Sequence, residues 1–210
     1  MLPSLFISHG SPMLALNKTS AHTFLRELGS QLSPKAVVVV SAHWESEDLL
    51  VSNSAKPETI HDFGGFRQAL FDVHYAAPGD PELAERLAVL LGAKPIARGF
   101  DHGVWVPLSL MFPDVNVPVV SLSLPVRWSN AALTALGERL SALRDEGILV
   151  IGSGSLTHNL YELMPQDSPM PGWVDEFAHW VHDHLVANDR EALLQWENAP
   201  SARKNHPTPE

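Results

Sequence analysis

The sequence predicts an α/β fold: a single domain with a central, mostly parallel or mixed sheet flanked by helices on both faces. Three observations predict it. Short, nearly continuous Val/Ile/Leu runs, such as "AVVVV" (36–40) and "ILVI" (148–151), have the pattern of strands covered on both faces. Amphipathic stretches with helix start and stop signals alternate with these runs. Three of the runs lead into a histidine: His9 closes "LPSLFISH", His43 closes "AVVVVSAH", and His158 follows "ILVIGSGSLT". In an open α/β sheet the carboxyl ends of parallel strands share one rim, where ligands bind. Three imidazoles converging there would make a metal site.

In chain order, strands are expected at 4–8, 36–42, 48–53, 94–98, 117–123 and 148–153. Between them, residues 20–32 place Phe24, Leu25, Leu28 and Leu32 at helical spacing. Asp80-Pro81 is an N-cap followed by a first-position proline, opening a helix that runs to Leu91 and stops at Gly92. Ser129 caps a helix running to Glu146, with Gly147 at its end, and a further amphipathic helix covers 173–187. An apolar helix begins next to His102. The stretch 54–79 reads as largely irregular, and a loop of that length in a compact domain is usually a wall or lid over a site. Residues 164–173 read as a second loop, and the end "NAPSARKNHPTPE" offers no evident core contribution.

Composition narrows the function. The 210 residues suit one α/β domain with a full core. The 24 acidic against 14 basic side chains give a net charge of −10, which argues against nucleic acid or an anionic membrane as the main partner. With no cysteine, disulfides, thiolate metal sites and cysteine nucleophiles are excluded. The N-terminus lacks a basic region, and no apolar stretch approaches the ~18 residues of a membrane span. Cytoplasmic is the default expectation.

Each chemistry-bearing residue has a plainer reading beside the functional one. His9 in "SHGSP" fits either a metal ligand or a bare strand-to-helix turn. His43 in "SAHWE" is less readily packing filler, because its strand is expected to end at the rim. Glu45 fits a ligand role less well than a solvated one. "IGSGSLTHNL" can cradle an anion at a helix start. It is neither a nucleophile elbow, since G-x-S-x-G is absent, nor a phosphate-binding lysine loop. In "GFDHGVWVPL", His102 can serve as a general base, since imidazole titrates near neutrality. Asp101 either orients that imidazole or only caps the helix. His61 and His74, on the long loop, can reach a cavity at the rim. His179, His182 and His184 carry no metal-binding spacing and read as surface or packing residues, and His22 as a helix-surface residue. Trp44 and Trp105 flank candidate residues and can line a pocket.

Taken together, "SHGSP" (8–12), "SAHWE" (41–45), "TIHDFGGF" (59–66), "HYAAPGDPELA" (74–84), "GFDHGVWVPL" (99–108), "LRDEGILVIGSGSLTHNL" (143–160) and "HPTPE" (206–210) resemble the class III extradiol ring-cleavage dioxygenases. The resemblance is stronger to the bacterial DOPA 4,5-dioxygenase group, itself similar to the protocatechuate 4,5-dioxygenase catalytic subunit. It implies a non-haem Fe(II) site, with Zn(II) possible in the same position. It makes His9 and His43 metal ligands, and His158 a further ligand or a site base against the metal. His61 and Trp44 are expected as substrate contacts from their own positions, and by the resemblance His102 becomes a catalytic histidine that does not bind the metal. It implies O2 and a catechol-type substrate such as L-DOPA, with ring opening next to, rather than between, the hydroxyls. The family pattern continues past "HPTPE" with another histidine expected to complete the site. The resemblance therefore describes 1–210 as one catalytic domain lacking the C-terminal end of that pattern. Two other functions use the same residues: a zinc-dependent hydrolase on this scaffold, in which the ligands activate water, and a non-catalytic metal-binding relative.

Overall fold

A computed structural model describes residues 1–165 and 168–208. Residues 166–167 of the expected 164–173 loop, and the last two of "HPTPE", lie outside the described residues. Contacts divide the chain into two compact units, one of Met1–Trp128 with Ala132–Gly154 and one of Ser129–Ala131 with Ser155–Glu210.

The first unit is built on six strands: β1 (Ser4–Ser8), β2 (Ala36–Ser46), β3 (Leu50–Ser52), β4 (Lys94–Ile96), β5 (Val119–Pro125) and β6 (Ile148–Gly154). Their order across the sheet is β1-β6-β2-β5-β3-β4. β1, β6, β2 and β5 run parallel, β3 is antiparallel to β5, and β4 is parallel to β3. The sheet is therefore mixed with a parallel centre. The helices of this unit are α1 (Ser20–Ser30), α2 (Gln68–Phe71), α3 (Pro81–Leu91), α4 (His102–Met111) and α5 (Asn130–Ser141), the last beginning on the boundary between the units.

Alternation along the central strands explains why both faces are covered. Val37, Val39, Val119, Leu149 and Ile151 point to one face and pack with Leu25 of α1 and Val104, Trp105 and Leu108 of α4. Val38, Val120, Leu122 and Ile148 point to the other and meet Leu83, Leu87 and Leu91 of α3 and Leu136 and Leu140 of α5. A period of two divides one apolar run between two cores. The Asp80 side chain accepts the Leu83 amide at 2.9 Å, and Gly92 ends α3 in the left-handed region at φ 71°, as its sequence signals require.

Two expectations need correction. β2 does not end at residue 42: it continues to Ser46, so His43 lies within the strand. Its pairing with β6 stops at Ser41↔Ser153, and its pairing with β5 jumps from Val40↔Leu122 to Glu45↔Leu124. His43 occupies that break, and such irregularities re-aim side chains. The long stretch 54–79 is largely irregular, as expected. It contains α2, and Leu70, Tyr75 and Ala77 are buried in the α1/α4-side core. The tail, by contrast, is structured through residue 208. In the second unit Ala199 and Ala202 pack with Phe177 of α6 (Gly172–Val186), while α7 (Arg190–Leu194) and α8 (Ala202–Asn205) complete that unit. Short apolar residues spaced by prolines left no periodic signal in "NAPSARKNHPTPE". Among the described residues, no helix is long and apolar enough to cross a membrane.

Candidate metal centre

The sheet register assembles the site. β6 lies between β1 and β2, with Ser8 opposite Gly154 and Ser41 opposite Ser153. His9 follows β1, and its amide donates to the Gly154 carbonyl at 3.1 Å. His43 stands in the β2 irregularity. α4 starts over the same strands, and its first residue is His102. One ring nitrogen from each of His9, His43 and His102 lies within 4.8 Å of the others. His9 and His102 are buried, and His43 is the most accessible of the three.

The protons on these rings can be placed from their partners. The Ser153 hydroxyl donates its single hydrogen to the Gly103 carbonyl. Its oxygen therefore accepts from His9 Nδ1, 3.0 Å away, which puts the ring hydrogen of His9 on Nδ1 and the lone pair on Nε2. That Nε2 lies 2.9 Å from His43 Nε2. Two nitrogens bound at about 2.1 Å to one ion, at right angles, would sit roughly 3.0 Å apart. The donor set and its spacing thus fit a metal held by imidazole.

His102 is fixed differently. Its backbone amide (3.0 Å) and its Nδ1 (2.9 Å) both donate to one oxygen, Asp62 Oδ1. A carboxylate oxygen can only accept here, so Nδ1 carries the hydrogen and Nε2 the lone pair. Burial opposes ionisation of Asp62, but the hydrogen bonds and charge interaction with His102 outweigh it and hold the carboxyl down to about 2. The position at the start of α4 also favours a negative charge.

Asp101 neither orients His102 nor caps α4 with its side chain. Its Oδ1 accepts from Ser41 Oγ at 2.6 Å, and its Oδ2 lies 3.4 Å from Arg98. Ser41 Oγ in turn accepts the His43 amide at 3.2 Å. Asp101 therefore ties α4 to the strand segment that carries His43. Gly103 permits the close approach: a Cβ there would lie 2.5 Å from Ser41 Oγ and 3.2 Å from His43 Cδ2.

The remaining candidates have other partners. His158 belongs to the second unit, where its amide donates to the Asn205 carbonyl at 2.9 Å. His61 Nε2 bonds the Val73 carbonyl at 3.0 Å, and its ring sits among Phe63, Phe71, His74 and Trp105. Phe63 also reaches the His102 ring, at 5.7 Å between centroids. Trp44 is buried with the Arg98 guanidinium over its ring. Trp105 is wholly buried, its indole N–H donating to Ile60 O. His179 and His182 are exposed on α6. Sequence reasoning missed Asp62, Ser153, Ser41 and Gly103. Asp62, Ser41 and Gly103 stand within two residues of a histidine in "TIHDFGGF", "SAHWE" and "DHG", whereas Ser153 in "IGSGS" has no histidine beside it.

Comparison with known proteins agrees with this geometry. Residues 3–210 match the family described as the catalytic LigB subunit of aromatic ring-opening dioxygenase. An Escherichia coli K12 protein named 4,5-DOPA dioxygenase extradiol is 41% identical over the whole chain, which spans 81% of it. A protein of the same name from Beta vulgaris is 40% identical over 98% of the chain, again spanning 81% of it. The crystal structure of an uncharacterized Escherichia coli K12 protein superposes with a TM-score of 0.84 at 33% identity, over all of this chain and 84% of that one. Neither a hydrolase nor a non-catalytic relative gains support. The full-length family match, the identities and the histidine cluster at the strand ends lead to one conclusion: the chain belongs to the class III extradiol, aromatic ring-opening dioxygenases, metal-dependent oxidoreductases that act on a small aromatic substrate and O2.

Proposed function

We propose that this chain uses Fe(II) to open a catechol such as L-DOPA on the bond next to its two hydroxyls. The observation that carries the reading is the His9–His43 pair, with Nε2 atoms 2.9 Å apart and the His9 tautomer set by Ser153. The relatives named 4,5-DOPA dioxygenase extradiol support the choice of substrate. In this reading His9 and His43 hold the metal, and His158 supplies a further ligand or a base beside it. Held by these imidazoles, Fe(II) would supply the redox chemistry that oxidation of a catechol by O2 requires. Zn(II) fits the same nitrogen donors but has no redox chemistry.

His102 manages a proton. With Nδ1–H held by Asp62, its Nε2 takes the hydrogen of one catechol hydroxyl, and the electron pair of that O–H bond stays on oxygen. The imidazolium so formed returns the proton later in the cycle. His61 and Trp44 are assigned to the substrate side, His61 through the aromatic loop and Trp44 beside His43.

The test is oxygen uptake by anaerobically Fe(II)-loaded protein across a small panel of catechols, with the ring-opened product identified. The expected result is uptake with L-DOPA or a close relative, and none after loading with Zn(II). No uptake with any catechol would overturn the reading.

A further inference from the structure

We infer that Asp62 is a positioning residue: it fixes the orientation and tautomer of the His102 imidazole. The inference rests on the proposed role of His102 as the group that moves the substrate proton.

Three features of the geometry point to this. First, Asp62 approaches from a different part of the chain, 40 residues before His102, and lands on the first residue of α4. Second, one oxygen receives two hydrogen bonds from the same residue, one from its backbone and one from its ring. The backbone bond anchors the oxygen, and the anchored oxygen then fixes the ring. A side chain held at both ends has little freedom left in χ1 and χ2. Third, the other candidate, Asp101, is committed to Ser41 and Arg98 and makes no bond to the His102 ring. Without Asp62 the imidazole could carry its hydrogen on either nitrogen, and the tautomer with Nε2–H cannot accept a proton at Nε2. The loop explains how the carboxylate is held: Ile60 N donates to Phe100 O at 2.8 Å and the Trp105 indole donates to Ile60 O at 3.1 Å, just before Asp62. On its other side, Phe63 packs against the His102 and Trp105 rings.

The two hydrogen bonds accepted by Oδ1 make a distinguishing substitution available. In Asp62→Asn the backbone N–H of His102 still demands an oxygen at that position, so the amide places its carbonyl there and its NH2 where Oδ2 was. Orientation and tautomer are then preserved while the negative charge is lost. Asp62→Ala removes both.

The experiment uses 15N-histidine-labelled full chain, loaded with Zn(II) for spectroscopy and Fe(II) for oxygen uptake. The Nδ1 and Nε2 shifts of His102 report its tautomer, and metal content is measured on every variant. In the parent chain His102 should show Nδ1–H. In Asp62→Ala that signature should be lost and kcat should fall roughly 10–100-fold with metal content retained. Asp62→Asn should restore both the signature and most of the rate. An unchanged His102 tautomer in Asp62→Ala would overturn the inference. So would an Asp62→Asn variant with the parent tautomer but the rate of Asp62→Ala, since charge rather than position would then matter. A lost tautomer with undiminished turnover would leave the positioning intact and remove His102 from the reaction, which overturns the proposed function instead.

Discussion

The three ring nitrogens of the cluster are not equivalent, and substitution should show it. His9→Ala and His43→Ala each remove a proposed ligand whose partner stands 2.9 Å away, so either should strip most of the bound metal, read as iron or zinc per chain after purification. His102→Ala should keep the metal and slow turnover by roughly 10²–10⁴-fold, the range for loss of a general acid–base. Because one of its ring nitrogens also lies within 4.8 Å of theirs, metal loss in that variant would instead place His102 among the ligands. Ser153→Ala should weaken metal binding by roughly 10–100-fold, since His9 would lose the acceptor that keeps its Nε2 bare. The histidines were legible because each stood next to an apolar run. Asp62 and Ser153 were not: a hydrogen bond linking residues 40 or 144 positions apart leaves no local spacing to read.

At the scale of elements, the site depends on α4 lying close against β2, and Gly103 sets that distance. A methyl group at Gly103 would meet Ser41 Oγ at 2.5 Å and the His43 ring at 3.2 Å. Gly103→Ala should cost about 1–3 kcal/mol, the usual penalty of overpacking. Because the crowded atoms hold His43, it should also lower metal affinity. Gly137→Ala is the contrasting case. That glycine is exposed in α5 with nothing within 4 Å of a new Cβ, so the change should stabilise by about 0.5–1 kcal/mol through helix propensity. Urea unfolding of both variants, with zinc titration of the first, checks the pair. Equal stabilities would mean that the α4–β2 approach is not tight. Strand positions were largely readable from runs of Val, Ile and Leu, since burial on both faces leaves an uninterrupted signal. The extension of β2 past His43 was not, because a break in pairing depends on the neighbours β5 and β6 rather than on the sequence of β2 itself.

Across the whole molecule, the two units draw on different physics. The first is a sheet with two apolar cores, whereas much of the second is organised around one buried asparagine. Asn205 Oδ1 accepts from Thr157 Oγ1 at 2.8 Å, its Nδ2 donates to the Trp173 and Ser201 carbonyls, and its own carbonyl accepts the His158 amide. His206, next in the chain, donates through Nε2 to Leu156 O at 2.8 Å between the rings of Phe177 and Trp196. This polar network is hard to read from sequence, because it joins side chains from distant positions rather than a periodic apolar run. It should also respond to pH. Burial lowers the His206 pKa below its ordinary 6.5; the bond to Leu156 O acts the other way, and the neighbouring charge of His158 reinforces the lowering. An unfolded chain takes up this proton near pH 6.5, while the folded chain resists it, so the folded state binds fewer protons. The contribution of His206 is therefore fully present above pH 6.5 and declines as pH falls through the lower, folded-state value. His179 on α6 is shifted upward by its bond and charge interaction with Asp175, but it is exposed and its influence is screened. Urea unfolding at pH 7.5 and pH 5 should show a loss of stability in the parent chain. His206→Gln, whose amide can still donate to Leu156 O but cannot take up a proton, should lose less over the same interval. Parallel losses in the two proteins would show that His206 is not the group responsible.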